Sequence, residues 1–263
     1  MLSTRLLTAA AGIPLIALAI WVGGEPLATL VALAVSIAVL EVAMIRGVAR
    51  TPAGLLASLL AALLPVAALY GLDWLLGATV LLIVMLGGVF AWTGDPARGA
   101  QDWLWGVATG LYVGVLAAHF VLLREAPDGR DWLFAAVLVV WIADTGAYAV
   151  GRAIGRHKLA PVVSPGKTIE GGIGSYVAGF IAVFVLAEIF GLDVTLADKV
   201  ALGLVLPPVV LVGDLAESAL KRALNVKDSG FLVPGHGGIL DRLDSLLFAL
   251  PVVYYYLDFV IYR

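Results

Sequence analysis

Residues 218–244 read SALKRALNVKDSGFLVPGHGGILDRLD and lie between two strongly apolar segments of the chain. The ionisable side chains of this stretch are Lys221, Arg222, Lys227, Asp228, His236, Asp241, Arg242 and Asp244. Ionisable residues beside membrane-spanning segments are costly to maintain, and they usually have a function. The stretch therefore predicts a membrane protein and marks the region that carries its chemistry.

The composition of the whole chain also predicts an integral membrane protein. Of its 263 residues, 62% are hydrophobic and 13% are charged, and the mean hydropathy is +1.05. Soluble domains have about 45–50% apolar and about 25% charged residues. The apolar runs do not alternate in polarity, as the strands of a transmembrane β-barrel would. We expect an all-α polytopic transmembrane protein, in which roughly nine spans of about 20 residues use the whole chain.

Apolar windows separated by Gly- and Pro-containing breaks predict the individual helices. The windows lie near residues 5–22, 27–45, 53–70, 73–92, 103–123, 132–150, 172–191, 198–220 and 242–261. The first four contain almost no ionisable residue, and Glu41 is the main exception. We therefore predict a transmembrane scaffold over residues 1–100 and a transmembrane catalytic region over residues 101–263.

The distribution of Lys and Arg predicts the orientation in the membrane. With nine spans, most of the 16 Lys and Arg residues fall on the same side as the N-terminus. The positive-inside rule places that side in the cytoplasm. We expect a multi-pass protein of the plasma (inner) membrane, with its N-terminus and the charged loops 151–171 and 221–242 in the cytoplasm. For Arg46 and Arg50, setting the topology is a sufficient role.

Several classes of site are excluded by residue counts. The chain has no cysteine, which excludes disulfides, thiolate metal sites and Cys nucleophiles. The three histidines do not form the His-x-x-x-His pair that holds zinc. The net charge of −3 indicates no nucleic-acid partner. Five aspartates fall in predicted loops, where we expect them to be solvated: Asp73, Asp95, Asp102, Asp193 and Asp198.

Two groups of polar residues have the i, i+3, i+4 spacing of a single helix face. They are Asp214, Glu217, Ser218 and Lys221, followed by Asp241, Asp244 and Ser245. Two acidic helix faces that meet would form an all-oxygen site, which suits Mg²⁺ together with water and substrate phosphate. Alternatively, the acids only neutralise nearby Lys and Arg residues, as membrane charges often do.

The same region contains groups that suit phosphate. Its cations are Lys221, Arg222, Lys227 and Arg242. Arg forms bidentate contacts with phosphate, and Lys supplies a compact charge. Glycines at positions 235, 237 and 238 flank His236 and allow a close approach of backbone to ligand. Because His236 lies in a loop, we favour a ligand contact for it over a packing role.

A second polar run precedes the seventh predicted helix. Gly166-Lys167-Thr168 looks like the end of a P-loop, but Pro161 stands where a P-loop needs glycine, and no strand is predicted before it. A run of hydroxyl, glycine and lysine before a helix can still hold phosphate oxygens. Asp144 lies inside the sixth predicted helix and needs a partner there. Because it lies just before the charged loop 151–171, we expect Asp144 to line the same cavity as this run.

The spacing of the polar residues in 218–244 resembles the signature of the phosphatidate cytidylyltransferases, also called CDP-diacylglycerol synthases. Residues 144–148, Gly151-Arg152 and 164–171 are similar to that family too, so the resemblance covers about the C-terminal half. It implies the reaction of CTP with phosphatidate to give CDP-diacylglycerol and pyrophosphate, with Mg²⁺. It also implies metal binding by Asp214 and Asp241, and a homodimer.

These considerations assign expected roles to individual residues. The expected metal ligands are Asp214 and Asp241, with Asp144 or Asp244 nearby. The sequence allows either one or two metal ions at this site. The expected phosphate-binding cations are Lys221, Arg222, Lys227 and Arg242, while His236 orients a phosphate or the leaving group. Further expected catalytic or substrate-binding residues are Ser164, Gly166, Lys167, Thr168, Glu170, Ser218, Asp228, Gly237 and Gly238.

Two alternatives to this function stay open. One is another CTP-dependent lipid enzyme, either a cytidylyltransferase for an ether-linked archaeal lipid or a polyprenol kinase. The other is a transporter or lipid flippase, because buried acids and glycine-interrupted helices also suit ion-coupled transport. No inverted repeat is visible, and the polar residues are concentrated in the C-terminal half.

Overall fold

The computed structural model describes residues 2–92, 94–230 and 237–263 of the chain. The α-helices in these residues are α1 (Leu2–Val22), α2 (Gly24–Ile45), α3 (Pro52–Ala68), α4 (Leu72–Ala91), α5 (Pro96–Thr109), α6 (Leu116–Glu125), α7 (Gly129–Ile154), α8 (Ile169–Ile189), α9 (Leu196–Ala223) and α10 (Leu240–Tyr256). π-Helical turns at Gly110–Val115 and Leu257–Ile261 join α5 to α6 and extend α10. The described residues therefore form nine continuous helices, one for each apolar window.

The predicted all-α polytopic fold class is confirmed. Seven helices in the described part of the chain are long and apolar enough to cross a membrane, by length and composition. Shorter apolar helices cover Gly12–Val22 and Pro52–Ala68. The number of helices that cross, and the cytoplasmic position of the N-terminus, stay predictions.

Side-chain caps set where several helices begin. Thr51 accepts a hydrogen bond from the Gly54 N–H at 3.2 Å and so caps α3. Asp95 accepts hydrogen bonds from the first two N–H groups that follow Pro96 in α5. At α9, the Thr195 and Asp198 side chains each accept from the other's N–H in a capping box. These caps satisfy N–H groups that the helix itself leaves without partners.

The predicted loop position is wrong for three of the five aspartates. Asp73 lies in the first turn of α4, although its side chain is exposed as expected. Asp198 lies in the first turn of α9, within the capping box. Asp102 lies in α5 and forms an ion pair with Arg46 at 3.2 Å, with each side chain less than one-fifth exposed. Hydropathy windows detect only the apolar part of a helix, so polar residues in its first two turns are assigned to the preceding loop.

The chain has two compact units. The first consists of Met1–Glu125 and Asp228–Arg242, and the second of Ala126–Lys227 and Leu243–Arg263. In the first unit, helices α2 and α3 are joined by a hydrogen bond of 2.8 Å between the hydroxyls of Ser36 and Ser58. The predicted division into scaffold and catalytic region is a functional one, and it stays a prediction.

Helices α7 and α8 of the second unit pack backbone against backbone. A Cβ atom on Gly146 would lie 2.8 Å from the carbonyl oxygen of Gly174, and one on Gly171 would lie 2.9 Å from that of Ala147. Small residues allow this close approach, which is a main source of helix association in membranes. The packing places the C-terminal half of α7 beside the first turns of α8, where the polar residues of this unit are concentrated.

A short antiparallel hairpin connects these two helices. Strand β1 (Lys158–Ala160) pairs with β2 (Ser164–Thr168), and Thr168 then caps α8 by accepting from the Gly171 N–H at 3.1 Å. The prediction that no strand precedes the helix is wrong here. The strands are too short and too polar to produce an alternating apolar pattern, and the cap and the pairing hold them in place.

Candidate active site

A cavity of about 370 Å³ lies within the second unit, between α7, β2, α8 and α9. Its lining includes Asp144, Tyr148, Arg152, Lys167, Thr168 and Asp214. Its position follows from the fold, because the close packing of α7 and α8 brings the hairpin beside α9. As expected from the sequence, Asp144 lines the same cavity as Lys167 and Thr168.

Lys167 and Asp214 form an ion pair inside this cavity. The Lys167 Nζ lies 2.5 Å from the Asp214 Oδ2, and the side chains are 20% and 33% exposed. Lys167 extends from β2 and Asp214 from the polar end of α9. The ammonium neutralises a carboxylate that would be costly to leave unpaired beside a membrane. The Lys167 Nζ is itself buried beneath the cavity surface, whereas the Asp214 carboxylate keeps enough exposure to meet a ligand.

A second carboxylate, Asp244 of α10, interacts with this pair. Helices α9 and α10 approach so closely that a Cβ atom on Gly213 would lie 2.8 Å from the Asp244 carbonyl oxygen. The Asp244 carboxylate is within electrostatic range of Asp214, Lys167 and Lys221. Two acidic helix faces therefore meet at this position, compensated by lysine ammonium groups.

The oxygen groups of this unit fit a hard divalent cation. Among the described residues, no three His, Cys, Asp or Glu side chains form a complete metal site. Mg²⁺ does not require one, because it usually binds one or two carboxylates and takes its other ligands from water and phosphate. Asp214 with Asp244 or Asp144 is such a set, and the Lys167 ammonium already compensates the charge of Asp214.

Asp241, the other expected metal ligand, belongs to the first unit and has a different environment. Its Oδ2 accepts hydrogen bonds from the Ser229 N–H at 3.1 Å, the Ser229 hydroxyl at 3.0 Å and the Gly238 N–H at 2.8 Å. This oxygen therefore connects Ser229 with Gly238. A metal site shared by Asp214 and Asp241 stays a prediction.

Glu41 of α2 belongs to the same group of hydrogen bonds around Ser229 and Asp241, and the sequence assigned no role to it. It is fully buried and accepts hydrogen bonds from the Ile239 N–H at 3.0 Å, the Leu240 N–H at 3.2 Å and the Ser229 hydroxyl at 3.3 Å. The only signal for it in the sequence was its isolation as an acid in an apolar span.

The predicted phosphate-binding cations have varied surroundings. Lys221 pairs with the buried Glu217 one helical turn away, at 2.5 Å. The Arg222 guanidinium donates to the carbonyl oxygens of Val163 at 3.2 Å and Val226 at 3.1 Å, and so attaches the hairpin turn to the end of α9. Exposed positions are occupied by Lys227, Asp228 and Arg242. His236 lies outside the described residues.

The remaining predicted substrate-binding residues are divided between cavity and framework. Gly166 lines the cavity, and Ser164 pairs with Ala160 in the hairpin. Glu170 holds the turn after α7, because its carboxylate accepts from the N–H groups of Arg156 at 3.1 Å and His157 at 3.2 Å. Ser218 is buried in α9, Gly238 is buried in the first unit, and Gly237 has a positive φ of 82°.

Tyr148 and Arg152 are cavity residues to which the sequence assigned no role. The Arg152 guanidinium donates to the Tyr148 hydroxyl at 2.6 Å, and both side chains are exposed. Two signals in the sequence pointed to them: the family resemblance covers both positions, and their spacing of four residues places them on one face of α7. A guanidinium held at the cavity by a neighbouring phenol is suited to bind a phosphate oxygen.

Comparisons with known proteins cover nearly the whole chain. Residues 3–260 match the cytidylyltransferase family. The phosphatidate cytidylyltransferase of Staphylococcus haemolyticus is 44% identical over 142 residues, which are 54% of this chain and 54% of that protein. The enzymes of the same name from Bacillus subtilis and Staphylococcus aureus are 40% identical over 148 residues and 45% identical over 144, with 54–56% of each chain covered. The chain spans about half the length of the curated relatives it matches.

Proposed function

The chain belongs to the cytidylyltransferase family, and from this premise we propose that it transfers the cytidylyl group of CTP to phosphatidate. The products are CDP-diacylglycerol and pyrophosphate, and the reaction requires Mg²⁺. The printed names of the relatives support phosphatidate as the acceptor. The long spacing signature of residues 218–244 supports the same acceptor.

The observation that carries the proposal is the cavity of the second unit. It combines the acids Asp144 and Asp214 with the cations Arg152 and Lys167 in a volume of about 370 Å³. Sites for small ligands usually have volumes of about 300–1,000 Å³. The carboxylates suit a divalent cation, and the neighbouring Lys and Arg side chains suit phosphate. A bound nucleoside triphosphate requires this combination.

The reaction needs charge compensation more than proton transfer. A phosphate oxygen of phosphatidate is already an anionic nucleophile, and it attacks the α-phosphorus of CTP while the bond to the β-phosphate oxygen breaks. Lys167 and Arg152 reduce the repulsion between the two polyanions and stabilise the charge that develops on pyrophosphate. Holding both phosphates in line supplies much of the remaining acceleration.

The chain's acidic residues would hold the metal. Asp214, together with Asp244 or Asp144, would hold Mg²⁺, and Asp241 is proposed as a further ligand. When bound, Mg²⁺ neutralises charge on the phosphate oxygens of the substrate. His236 and the cations Lys221, Lys227 and Arg242 stay proposed contacts of phosphate. For Arg222, whose guanidinium donates to two backbone carbonyl oxygens, the phosphate contact stays an alternative to a structural role.

The lipid substrate imposes its own requirements. The acyl chains of phosphatidate are costly to remove from the bilayer, so we propose that the lipid enters laterally between helices. CTP is supplied from the cytoplasm, which favours a cytoplasmic active site in a protein of the plasma (inner) membrane. A homodimer is proposed from the family resemblance alone.

Product analysis tests this function directly. Purified protein in detergent would receive CTP and phosphatidate with Mg²⁺, then with excess EDTA, and each substrate would also be omitted in turn. We expect pyrophosphate and CDP-diacylglycerol in equal amounts, only when both substrates and the metal are present. Release of CDP with a phosphorylated lipid would identify a kinase instead. Absence of any product from folded protein would contradict the proposal.

A further inference from the structure

The buried acid in α2 is unusual for a residue in a membrane helix. Glu41 is 0% exposed, and all of its described hydrogen-bond donors are neutral groups of the 229–240 region. A carboxylate in such a place is costly unless its oxygens are satisfied. The N–H groups of Ile239 and Leu240, at the start of α10, would in turn lack partners within the helix. Acid and helix start satisfy each other.

The hydroxyl of Ser229 connects Glu41 with Asp241. It lies 3.3 Å from the Glu41 Oε2 and 3.0 Å from the Asp241 Oδ2. A serine hydroxyl has a single proton, so it donates fully to one carboxylate at a time. The orientation of Asp241 therefore depends on an acid that is distant in sequence and belongs to another helix of the same unit.

Two glycines show how closely this arrangement is built. A Cβ atom on Gly230 would overlap the Glu41 carboxyl group, and one on Gly238 would overlap both the Ser229 hydroxyl and Glu41. Both described ends of the segment thus approach Glu41 with no room for a side chain. The carboxylate acts as a common anchor for residues before and after positions 231–236.

We propose that Glu41 is a positioning residue for the reaction: it anchors both ends of the 229–241 segment and thereby fixes the carboxylate of Asp241. The catalytic part of this inference rests on the proposed function. Partners that orient metal ligands typically change metal affinity or activity by about 10–100-fold when they are replaced. Because Glu41 belongs to the anchor and not to the cavity, its replacement should lower kcat and leave the KM for CTP nearly unchanged.

The test compares the wild type with Glu41→Gln, Ser229→Ala and, as a matched control, Asp102→Asn. Glutamine keeps the shape of Glu41 but presents an NH₂ group to N–H donors. Ser229→Ala removes the shared hydroxyl and retains both carboxylates. Asp102→Asn removes a partly buried acid of the same unit that pairs with Arg46 and has no part in the anchor. Backbone hydrogen exchange would be measured on each metal-free protein. Separate kinetic assays would give kcat, the KM for CTP and the Mg²⁺ concentration for half-maximal activity.

We expect Glu41→Gln to accelerate exchange in a peptide covering 237–242, while α3 and α5 exchange as in the wild type. Its kcat should fall about 10–100-fold with a raised Mg²⁺ requirement. Ser229→Ala should show the same pattern with smaller changes, and it tests the anchor if Glu41→Gln does not fold. Asp102→Asn should leave the 237–242 peptide and kcat unchanged.

Unchanged exchange at 237–242 in Glu41→Gln would overturn the inference. So would acceleration spread over the whole first unit with kcat intact per folded molecule, because that result indicates a purely structural role. Failure of the wild type to form CDP-diacylglycerol would contradict the proposed function. In that case the exchange measurement still decides whether Glu41 anchors the segment.

Discussion

The carboxylates of the two units differ in their partners and in their exposure. In the second unit, Asp214 is paired with the Lys167 ammonium and remains one-third exposed to the cavity. In the first, Glu41 and Asp241 accept hydrogen bonds from backbone N–H groups and the Ser229 hydroxyl, and Glu41 is fully buried. A carboxylate satisfied by fixed neutral donors is held in one orientation by the fold. A carboxylate compensated by a flexible ammonium can exchange that partner for a ligand.

Replacing the two aspartates separately tests this difference with the largest expected effect. We expect Asp214→Asn and Asp241→Asn each to lower kcat by at least about 1,000-fold, since a metal ligand contributes several kcal/mol to transition-state stabilisation. Asp241→Asn should also destabilise the protein by about 2 kcal/mol, because it weakens hydrogen bonds to a charged acceptor. Asp214→Asn should change stability by less than about 1 kcal/mol, since the Asp214 side chain is one-third exposed and the asparagine oxygen can still accept a hydrogen bond from Lys167.

Activity assays combined with thermal unfolding in detergent would measure both effects. Equal destabilisation by the two variants would remove the distinction between the carboxylates of the two units. Substantial remaining activity in either variant, with the protein folded, would exclude that residue as a required metal ligand.

The Lys167 ammonium gives the next largest expected effect. Lys167→Met keeps the apolar stem and removes the charge, and kcat/KM should fall about 100–1,000-fold, as for loss of one donor to a developing anion. Lys158→Met is the matched control, because Lys158 belongs to the same hairpin and is exposed outside the cavity lining. Steady-state kinetics with each substrate varied would measure the loss. A similar loss in both variants would mean that general charge, and not the cavity, is responsible.

Replacement of Arg222 should affect activity less than replacement of Lys167. Its guanidinium donates to two backbone carbonyl oxygens, so Arg222→Met should cost about 1 kcal/mol of stability and lower activity only severalfold. The measurement is kcat/KM for CTP beside the thermal midpoint. A loss as large as that of Lys167→Met would instead establish the phosphate contact that the sequence predicts.

Local patterns were sufficient to predict much of this molecule. Each of the nine continuous helices in the described residues was visible as an apolar window, because a helix that crosses a membrane needs an apolar surface along its length. The meeting of Asp144 with Lys167 and Thr168 in one cavity was also predictable, since Asp144 lies in the second half of α7 and the other two residues end the short connection from α7 to α8.

Contacts between distant parts of the chain were not predictable in this way. Glu41 is 198 residues from Ile239, and Arg222 is 59 residues from Val163. Spacing rules describe neighbours on one helix or strand, and they contain no information about which helix packs beside which loop. The hairpin was missed for a related reason: its pairing and the Thr168 cap stabilise it, and its composition does not mark it.

The proposed function depends above all on binding of the substrates in the cavity of the second unit. Because the chain has no native cysteine, a single cysteine at Gly166 would report on the cavity alone. Gly166 lines the cavity and has open space where a side chain would extend, whereas Val162, in the same hairpin, is 87% exposed and lies outside the lining. The measurement is the rate of maleimide labelling of Gly166→Cys and Val162→Cys, with and without CTP, Mg²⁺ and phosphatidate. We expect the substrates to slow labelling of Gly166→Cys and to leave the labelling rate of Val162→Cys unchanged. Equal labelling of Gly166→Cys with and without both substrates, in a protein that still forms CDP-diacylglycerol, would contradict this expectation.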